Sequence, residues 1–258
     1  KAQAGSFGFA DMLARLDSAL DSAVQGASAH RLRQRIVAQY PVALVDEFQD
    51  TSPVQARIFD RLYPVLGNSP ATALLLIGDP KQAIYGFRGA DIYSYLATRQ
   101  ATLGRHYVLG TNHRSTAALV GAVNHVFASA ESRVGAGAFM FRDDASAAGN
   151  PLPFEAVKAQ GRDEALVTSA GPMPAMQLHL DDTLLDAASS RRHFAARCAE
   201  EITTLLNDPQ AAFVQPGETP RRLQPADVAV LVRTGKEAAA VRRELRRRQV
   251  ASVYLSDQ

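Results

Sequence analysis

Two adjacent carboxylates follow a short apolar run in the stretch VALVDEFQDTSPVQ, residues 42–55. The run VALV is typical of a buried strand, and Asp46 and Glu47 stand at its carboxyl end. In a parallel α/β sheet, ligands bind at that edge, where an aspartate suits Mg²⁺ and a glutamate suits a base acting on water. The alternative is an ordinary strand-end pair that caps the next helix, and this motif alone does not decide between them.

A second candidate segment is LLLIGDPKQAIYGFRGADI, residues 74–92, another apolar run that ends in an aspartate. Gln82 suits a neutral sensor of a terminal phosphate. Tyr85 and Phe87 alternate with glycine, and Arg88 follows. Aromatic rings beside a cation on a flexible loop are suited to stacking on unpaired bases and to phosphate contact. The alternative is a loop whose aromatic side chains fill the core.

The third segment is YVLGTNHRST, residues 107–116. Arg114 falls where a predicted strand leads into a helix, a place from which an arginine can neutralise charge on a leaving phosphate. His113 can stack on a base ring. The alternative is that Arg114 only pairs with a nearby carboxylate.

The elements that must position these residues follow from hydrophobic periodicity and capping signals. Strands and helices alternate in the first half, which predicts an α/β core with a largely parallel sheet. The predicted strands are 42–45, 73–79 and 106–112, and the predicted helices are 6–20, 31–40, 51–64, 90–100 and 115–130.

The second half of the chain begins with an irregular stretch, residues 131–175, that is rich in Gly, Ala and Pro and indicates a boundary with loops. A β-α-β pattern near the end predicts a second α/β domain. The predicted elements are strands at 153–159, 175–180, 227–233 and 251–256 and helices at 191–206 and 236–249.

Composition narrows the possible classes of protein. Apolar residues make up 47% and charged residues 21% of the 258 residues, as in ordinary soluble globular proteins. The net charge is only +2, so any nucleic-acid site must be a local patch. Cys198 is the single cysteine, which rules out an intramolecular disulfide and fits a reducing cytoplasm. No apolar run approaches the length of a membrane span, so no membrane partner is expected.

One strongly basic run, VRRELRRRQ at 241–249, has two interpretations. It can contact DNA or a protein partner. More often such a run is the solvated face of a helix, here with Val241, Leu245 and Val250 packed inward.

In this order and spacing, DEFQDT, GDPKQAIYGFRGAD and TNHRS resemble the UvrD-like family of superfamily 1 DNA helicases. Three later segments resemble the helicase–nuclease branch of that family, exodeoxyribonuclease V: PAMQLHL, FAARCAEEI and DVAVLVRTGKEAAAVRRELRRRQVASVYLSDQ. The resemblance implies an incomplete RecA-like P-loop NTPase core at 1–130, then a linker and the start of a second RecA-like domain at 131–258. It implies ATP and Mg²⁺ as ligands, and as partners single- or double-stranded DNA and two further subunits of a repair complex.

The resemblance also implies nucleotide-binding roles. Asp46 would coordinate Mg²⁺, and Glu47 would be the catalytic base. Gln82 would sense the γ-phosphate, and Arg114 would contact it from the hinge between the two domains. His113 stands where relatives carry Tyr or Trp, and its imidazole is a smaller surface for stacking on adenine.

The same resemblance implies a DNA-binding loop. Tyr85 and Phe87 would stack on single-stranded DNA, with Arg88 beside them. Phe87 stands where relatives often carry Trp, a milder departure.

The phosphate-cradling motif G-x-x-x-x-G-K-[ST] does not occur in this sequence. Of the four lysines only Lys236 follows a glycine, and neither Val230 nor Glu237 fits the motif. The sequence is therefore expected to be an internal piece of an ATP-driven helicase–nuclease subunit. The alternative is a non-catalytic DNA-binding or scaffolding module that keeps the helicase fold.

We expect the isolated chain to show no ATP hydrolysis, because the backbone of the missing motif supplies most phosphate contacts in such proteins. A coupled ATPase assay with and without single-stranded DNA measures this directly. DNA-stimulated turnover by the isolated chain would contradict the expectation.

Overall fold

The computed structural model describes residues 8–67, 69–86, 89–143 and 149–255. The chain forms two compact units. The first contains Lys1–Val108 with Asp144–Pro151, and the second contains Leu109–Asp143 with Leu152–Gln258. Each unit is described by itself below.

The first unit consists of helices around a pair of strands. Helix α4 illustrates how local sequence fixes an element: Ser52 accepts a hydrogen bond from the N–H of Gln55, whose side chain bonds back to Ser52, and Pro53 starts the helix. The elements are α1 (Phe9–Ala19), α2 (Ser22–Gln25), α3 (Ala27–Gln39), β1 (Val42–Val45), α4 (Pro53–Leu62), β2 (Ala73–Leu76) and α5 (Ile92–Ala101).

Strands β1 and β2 pair in parallel, from Val42 opposite Ala73 to Val45 opposite Leu76. The ladder continues past the strands, because the N–H of Ile77 donates to the carbonyl of Val45 at 2.8 Å and the N–H of Phe48 donates to that of Ile77 at 2.8 Å. The carboxyl ends of both strands therefore meet at one edge, as the sequence predicted.

The apolar run VALV is less buried than the sequence predicted. Val45 is buried, but Val42 and Leu44 are more than half exposed. The buried neighbours of the site are instead Phe48 and Gln49, which follow the carboxylates.

An ionic network fastens the N-terminal helices to α4. Arg61, with a side chain only 21% exposed, pairs with Asp17 at 2.5 Å and Asp21 at 2.7 Å, and Arg57 pairs with Asp17 at 3.0 Å. One aspartate thus serves two arginines on successive turns of α4, and this anchors the helix that leaves the carboxylate edge.

The second unit combines two small sheets with three helices. Its strands β3 and β4 pair in parallel, whereas β5 to β8 form an antiparallel sheet in the order β6-β5-β7-β8. The elements are β3 (Thr111–Asn112), α6 (Ala117–Glu131), β4 (Lys158–Ala159), β5 (Ala165–Thr168), β6 (Gly171–Pro172), α7 (Ala187–Asn207), β7 (Ala212–Val214), β8 (Arg221–Arg222) and α8 (Gly235–Arg247).

The main core of the second unit lies between α7 and α8. Small side chains at the contact, such as Ala199 with no exposed surface, let the two helix backbones approach closely. The buried cluster comprises Ala195, Ala199, Ile202, Ala240, Val241 and Leu245. Although α7 has 21 residues, neither it nor any other helix of the described residues is long and apolar enough to cross a membrane.

The predicted helices are confirmed with small shifts at their ends, apart from residues 6 and 7, which lie outside the described residues. The strand at 42–45 is confirmed, and the strand predicted at 73–79 ends at Leu76. The packing predicted for the basic run is also confirmed, with Val241 and Leu245 buried and Val250 against the same core.

Several predicted strands are wrong. Only Thr111 and Asn112 of 106–112 form a strand, and they pair with β4 rather than with β1 or β2. Only Lys158 and Ala159 of 153–159 do so, whereas 175–180, 227–233 and the described part of 251–256 form none. An apolar alternating run favours extended backbone, but it becomes a strand only beside a hydrogen-bonding partner, and these runs have no such partner among the described residues. The rest of the stretch 131–175, predicted to be loops, contains the two further strands β5 and β6.

We expect Leu245→Ala to lower the free energy of unfolding by about 2–4 kcal/mol, because it opens a cavity between α7 and α8. Leu184→Ala is the matched control, since Leu184 is fully exposed and its loss should stay within about 0.5 kcal/mol. Urea unfolding followed by circular dichroism measures both values. Equal losses in the two variants would contradict the assigned core.

Candidate functional site

The two carboxylates at the end of β1 lie on a constrained turn. Asp46 and Glu47 are both exposed, and the Oδ1 of Asp46 accepts a hydrogen bond from the N–H of Glu47 at 2.9 Å. Glu47 has φ 50° and ψ 42°, the left-handed conformation that costs a residue with a Cβ about 1 kcal/mol. The surrounding contacts must therefore hold this turn in place.

Gln49 supplies the principal contact that holds the turn. Its side chain is only 1% exposed, and both halves of its amide are used. The Nε2 donates to Glu47 Oε2 at 2.7 Å, and the Oε1 accepts from the N–H of Asp79 at 3.0 Å. One buried amide therefore orients the Glu47 carboxylate and ties it to the end of β2.

Gly78 makes this approach possible. A Cβ at that position would lie 2.7 Å from the Gln49 side-chain oxygen and 3.2 Å from the Phe48 nitrogen. Both distances are shorter than ordinary contacts, so any side chain at residue 78 would displace Gln49.

Asp79 organises the turn that carries Gln82. Its Oδ1 accepts from the backbone N–H of Lys81 at 3.0 Å and pairs with the Lys81 ammonium at 2.7 Å, and its Oδ2 accepts from Gln82 Nε2 at 3.1 Å. Partial burial acts to raise the pKa of Asp79, but the hydrogen bonds from Lys81 and Gln82 and the Lys81 charge together lower it. The carboxylate stays ionised and fixes the orientation of the exposed Gln82 side chain.

The loop that follows is anchored at both ends. Asp79 caps its start, and Asp91 caps α5 at its end by accepting from the N–H groups of Tyr93 and Ser94, each at 3.1 Å. A hydrogen bond from the Ser94 hydroxyl lowers the pKa of Asp91 although burial opposes it. Tyr85 is half-buried within this loop.

Two predicted loop residues cannot be placed. Phe87 and Arg88 lie outside the described residues, so their proposed contacts with DNA stay predictions.

His113 and Arg114 belong to the second unit and are both exposed. The Oδ1 of Asn112 accepts from the N–H groups of Arg114 and Ser115, each at 2.9 Å, and this closes the turn that presents the two side chains.

The chain segment after β4 also contacts the turn that carries His113 and Arg114. The N–H of Gln160 donates to the carbonyl of Asn112 at 2.9 Å. Gly161 lies so close to Ser115 that a Cβ there would overlap the Ser115 carbonyl oxygen. The turn is thus held both by its own asparagine and by a neighbouring strand.

The roles of three supporting residues could not be predicted from the sequence. Gln49, Gly78 and Gly161 matter because each contacts a residue about 30 or more positions away along the chain. Only the position of Gln49 within DEFQDT, next to the carboxylates, hinted at a function.

The carboxylates at this edge fit a Mg²⁺ ion that takes most of its ligands from phosphate and water. Among the described residues no group of three or more His, Cys, Asp or Glu side chains could hold a metal ion. An ion held by one exposed carboxylate together with phosphate oxygens and water needs no such group, and Asp46 fits that arrangement.

The first part of the chain is similar to a known helicase domain. Residues 1–102 match the UvrD/REP helicase N-terminal domain. Over its whole length the chain is 41% identical to the RecBCD enzyme subunit RecB of Escherichia coli K12, of which it covers 20%. The RecB subunit of Haemophilus influenzae is 36% identical over 93% of the chain, and that of Mycobacterium tuberculosis H37Rv is 36% identical over 97%.

The family resemblance drawn from the three motifs is thereby confirmed. The chain spans about a fifth of the length of the RecB relatives it matches.

We expect Gly78→Ala to destabilise the first unit by about 1–3 kcal/mol, because the added methyl group must displace Gln49 or the backbone of Phe48. Gly86→Ala is the control, since a Cβ at residue 86 meets nothing within 4 Å. Thermal unfolding of both variants gives the comparison. A Gly78→Ala variant as stable as Gly86→Ala would contradict the assigned packing.

Proposed function

We propose that the chain is part of the ATP-driven motor of a RecB-type subunit in a helicase–nuclease of double-strand break repair and recombination. Residues 1–130 would be the first RecA-like domain without its phosphate loop, and 131–258 a linker with the start of the second. The family match and the RecB relatives support this assignment. The partners would be DNA and RecC-like and RecD-like subunits in the cytoplasm.

The observation that carries the proposal is a chain of hydrogen bonds along the strand edge. Glu47 is bonded to Gln49, Gln49 to the backbone of Asp79, and Asp79 to the side chain of Gln82. The carboxylate that would act on water is therefore linked, through three contacts, to the residue that would sense the γ-phosphate.

On the nucleotide side, Asp46 would hold Mg²⁺, which when bound neutralises phosphate charge. Glu47 would accept a proton from the attacking water. Its hydrogen bond from Gln49 fixes one carboxylate oxygen, so the group is oriented before substrate arrives. Arg114 would contact the γ-phosphate, and His113 would stack on the base.

On the DNA side, the loop between Asp79 and Asp91 would carry the stacking residues Tyr85 and Phe87, with Arg88 on the phosphates. Because Asp79 bonds both Gln82 and the start of this loop, a change at Gln82 on phosphate release would reach the loop directly. These contacts would couple ATP turnover to the binding of single-stranded DNA.

The test uses the intact protein that contains the chain. We expect Glu47→Gln to lower kcat for ATP at least about 100-fold with single-stranded DNA binding retained, since the amide cannot take a proton. We expect Tyr85→Ala to weaken DNA binding by about 1–3 kcal/mol with the KM for ATP unchanged.

Two matched variants serve as controls for this test. Glu218→Gln removes an exposed carboxylate in the second unit, and Tyr93→Ala removes a ring that is 70% exposed on α5. Full turnover by Glu47→Gln would rule out its role as the base. An intact protein that binds DNA without any ATP turnover would favour the non-catalytic scaffold instead.

A further inference from the structure

The basic run of α8 has two faces with different environments. Val241 and Leu245 on the inner face are buried against α7. Arg243 and Arg247, four residues apart, are exposed at the edge of that contact. The inner packing stabilises the helix, and Arg243 and Arg247 take no part in that packing.

An open groove runs beside these arginines where α7 and α8 meet. It is lined by Arg192 and Ala196 from α7 and by Arg243, Glu244 and Arg247 from α8. Three guanidinium groups and one carboxylate give this lining a formal charge of +2. In a chain whose total charge is also only +2, the groove is a local concentration of positive charge.

Glu244 orders the arginines and neutralises only part of their charge. The residue is 9% exposed, and its Oε1 pairs with Arg247 at 3.1 Å while its Oε2 pairs with Arg248 at 3.0 Å. Arg243 reaches the same carboxylate only at 3.9 Å. Hydrogen bonding from Arg248 lowers the pKa of Glu244, so the carboxylate stays charged and holds the guanidinium groups at the groove.

Arg192 faces them from α7. Its Nη2 donates to the hydroxyl of Ser189 at 2.9 Å, and that hydroxyl donates to Asp186 at 2.6 Å. The Arg192 charge is therefore partly compensated by a carboxylate that lies outside the groove lining. The groove thus has cations on both walls.

We propose that this groove binds the phosphate backbone of a nucleic-acid strand. The guanidinium group matches phosphate oxygens in charge and geometry, and two arginines one helical turn apart can engage neighbouring phosphates. Among the described residues the lining has no aromatic side chain, so bases are not read there, and the contact is independent of sequence. Ala196 is the single apolar residue of this described lining, which gives a protein partner no pocket for a hydrophobic anchor.

This inference rests on the proposed function in one respect, namely that the protein acts on DNA. It adds a second contact with DNA in the second unit. This contact is separate from the aromatic loop of the first unit, which lies between Asp79 and Asp91. A nucleic-acid strand at this groove would be bound by electrostatic attraction alone.

The experiment measures binding of a labelled single-stranded oligonucleotide to the intact protein by fluorescence anisotropy over a salt series. We expect Arg243→Gln with Arg247→Gln to weaken binding several-fold for oligonucleotides of any sequence. The slope of log affinity against log salt should fall by about 1.4, since each phosphate contact to a single strand contributes about 0.7.

A second variant separates lost contacts from lost folding. Glu244→Gln removes the carboxylate from the groove and should strengthen binding, a change that an unfolded protein cannot produce. The matched control is Arg31→Gln with Arg35→Gln, which removes two exposed arginines at the same spacing on α3. It should change affinity and slope less than the groove variant.

The remaining outcomes distinguish the two proposals. Unchanged binding in the groove variant while Tyr85→Ala weakens it would overturn the groove and leave the aromatic loop in place. Weaker DNA binding in the groove variant, with unchanged DNA binding in Tyr85→Ala, would support the groove as a DNA site and overturn the role of the aromatic loop. Absence of DNA binding in the wild type would overturn both. Lost affinity for polyglutamate, with DNA binding unchanged, would assign the groove to an acidic protein partner and overturn the nucleic-acid proposal.

Discussion

The candidate site depends on one buried amide. A primary amide removed from water costs free energy unless its donor and acceptor are both paired, and Gln49 pairs them with groups that follow two different strands. Because one partner is the Glu47 side chain and the other is the backbone of Asp79, the amide sets where the end of β1 lies relative to the end of β2. The glycine at residue 78 leaves room for this amide, and the amide bonds the side chain of Glu47 in its left-handed turn.

The two units present their candidate residues by the same physical means. In each, a short polar side chain at the start of a turn accepts backbone N–H groups, Asp79 in the first unit and Asn112 in the second. Such turns are rigid because their backbone donors are satisfied locally. The side chains expected to meet ligands, Gln82 and Arg114, can therefore stay exposed without leaving the backbone around them unpaired.

In the second unit, apolar and charged side chains lie on different faces of one helix, α8. Alanine, valine and leucine on the inner face of α8 bury against α7, and arginines cover the outer face. A single carboxylate, Glu244, stands at the boundary and pairs with arginines on the next turn. Burial on one side stabilises the helix, so the charges on the other side are free to serve binding.

The sequence by itself determined the helices, the strand VALV and the family, because caps, helical periodicity and motif spacing are local properties of the chain. It also placed Asp46, Glu47 and Gln82 near the meeting ends of two parallel strands. Only the tertiary structure decided that Thr111 and Asn112 pair with β4, that 227–233 is no strand, and that Gln49 is the buried link. A strand needs a hydrogen-bonding neighbour and a buried polar group needs partners, and both lie far away along the chain.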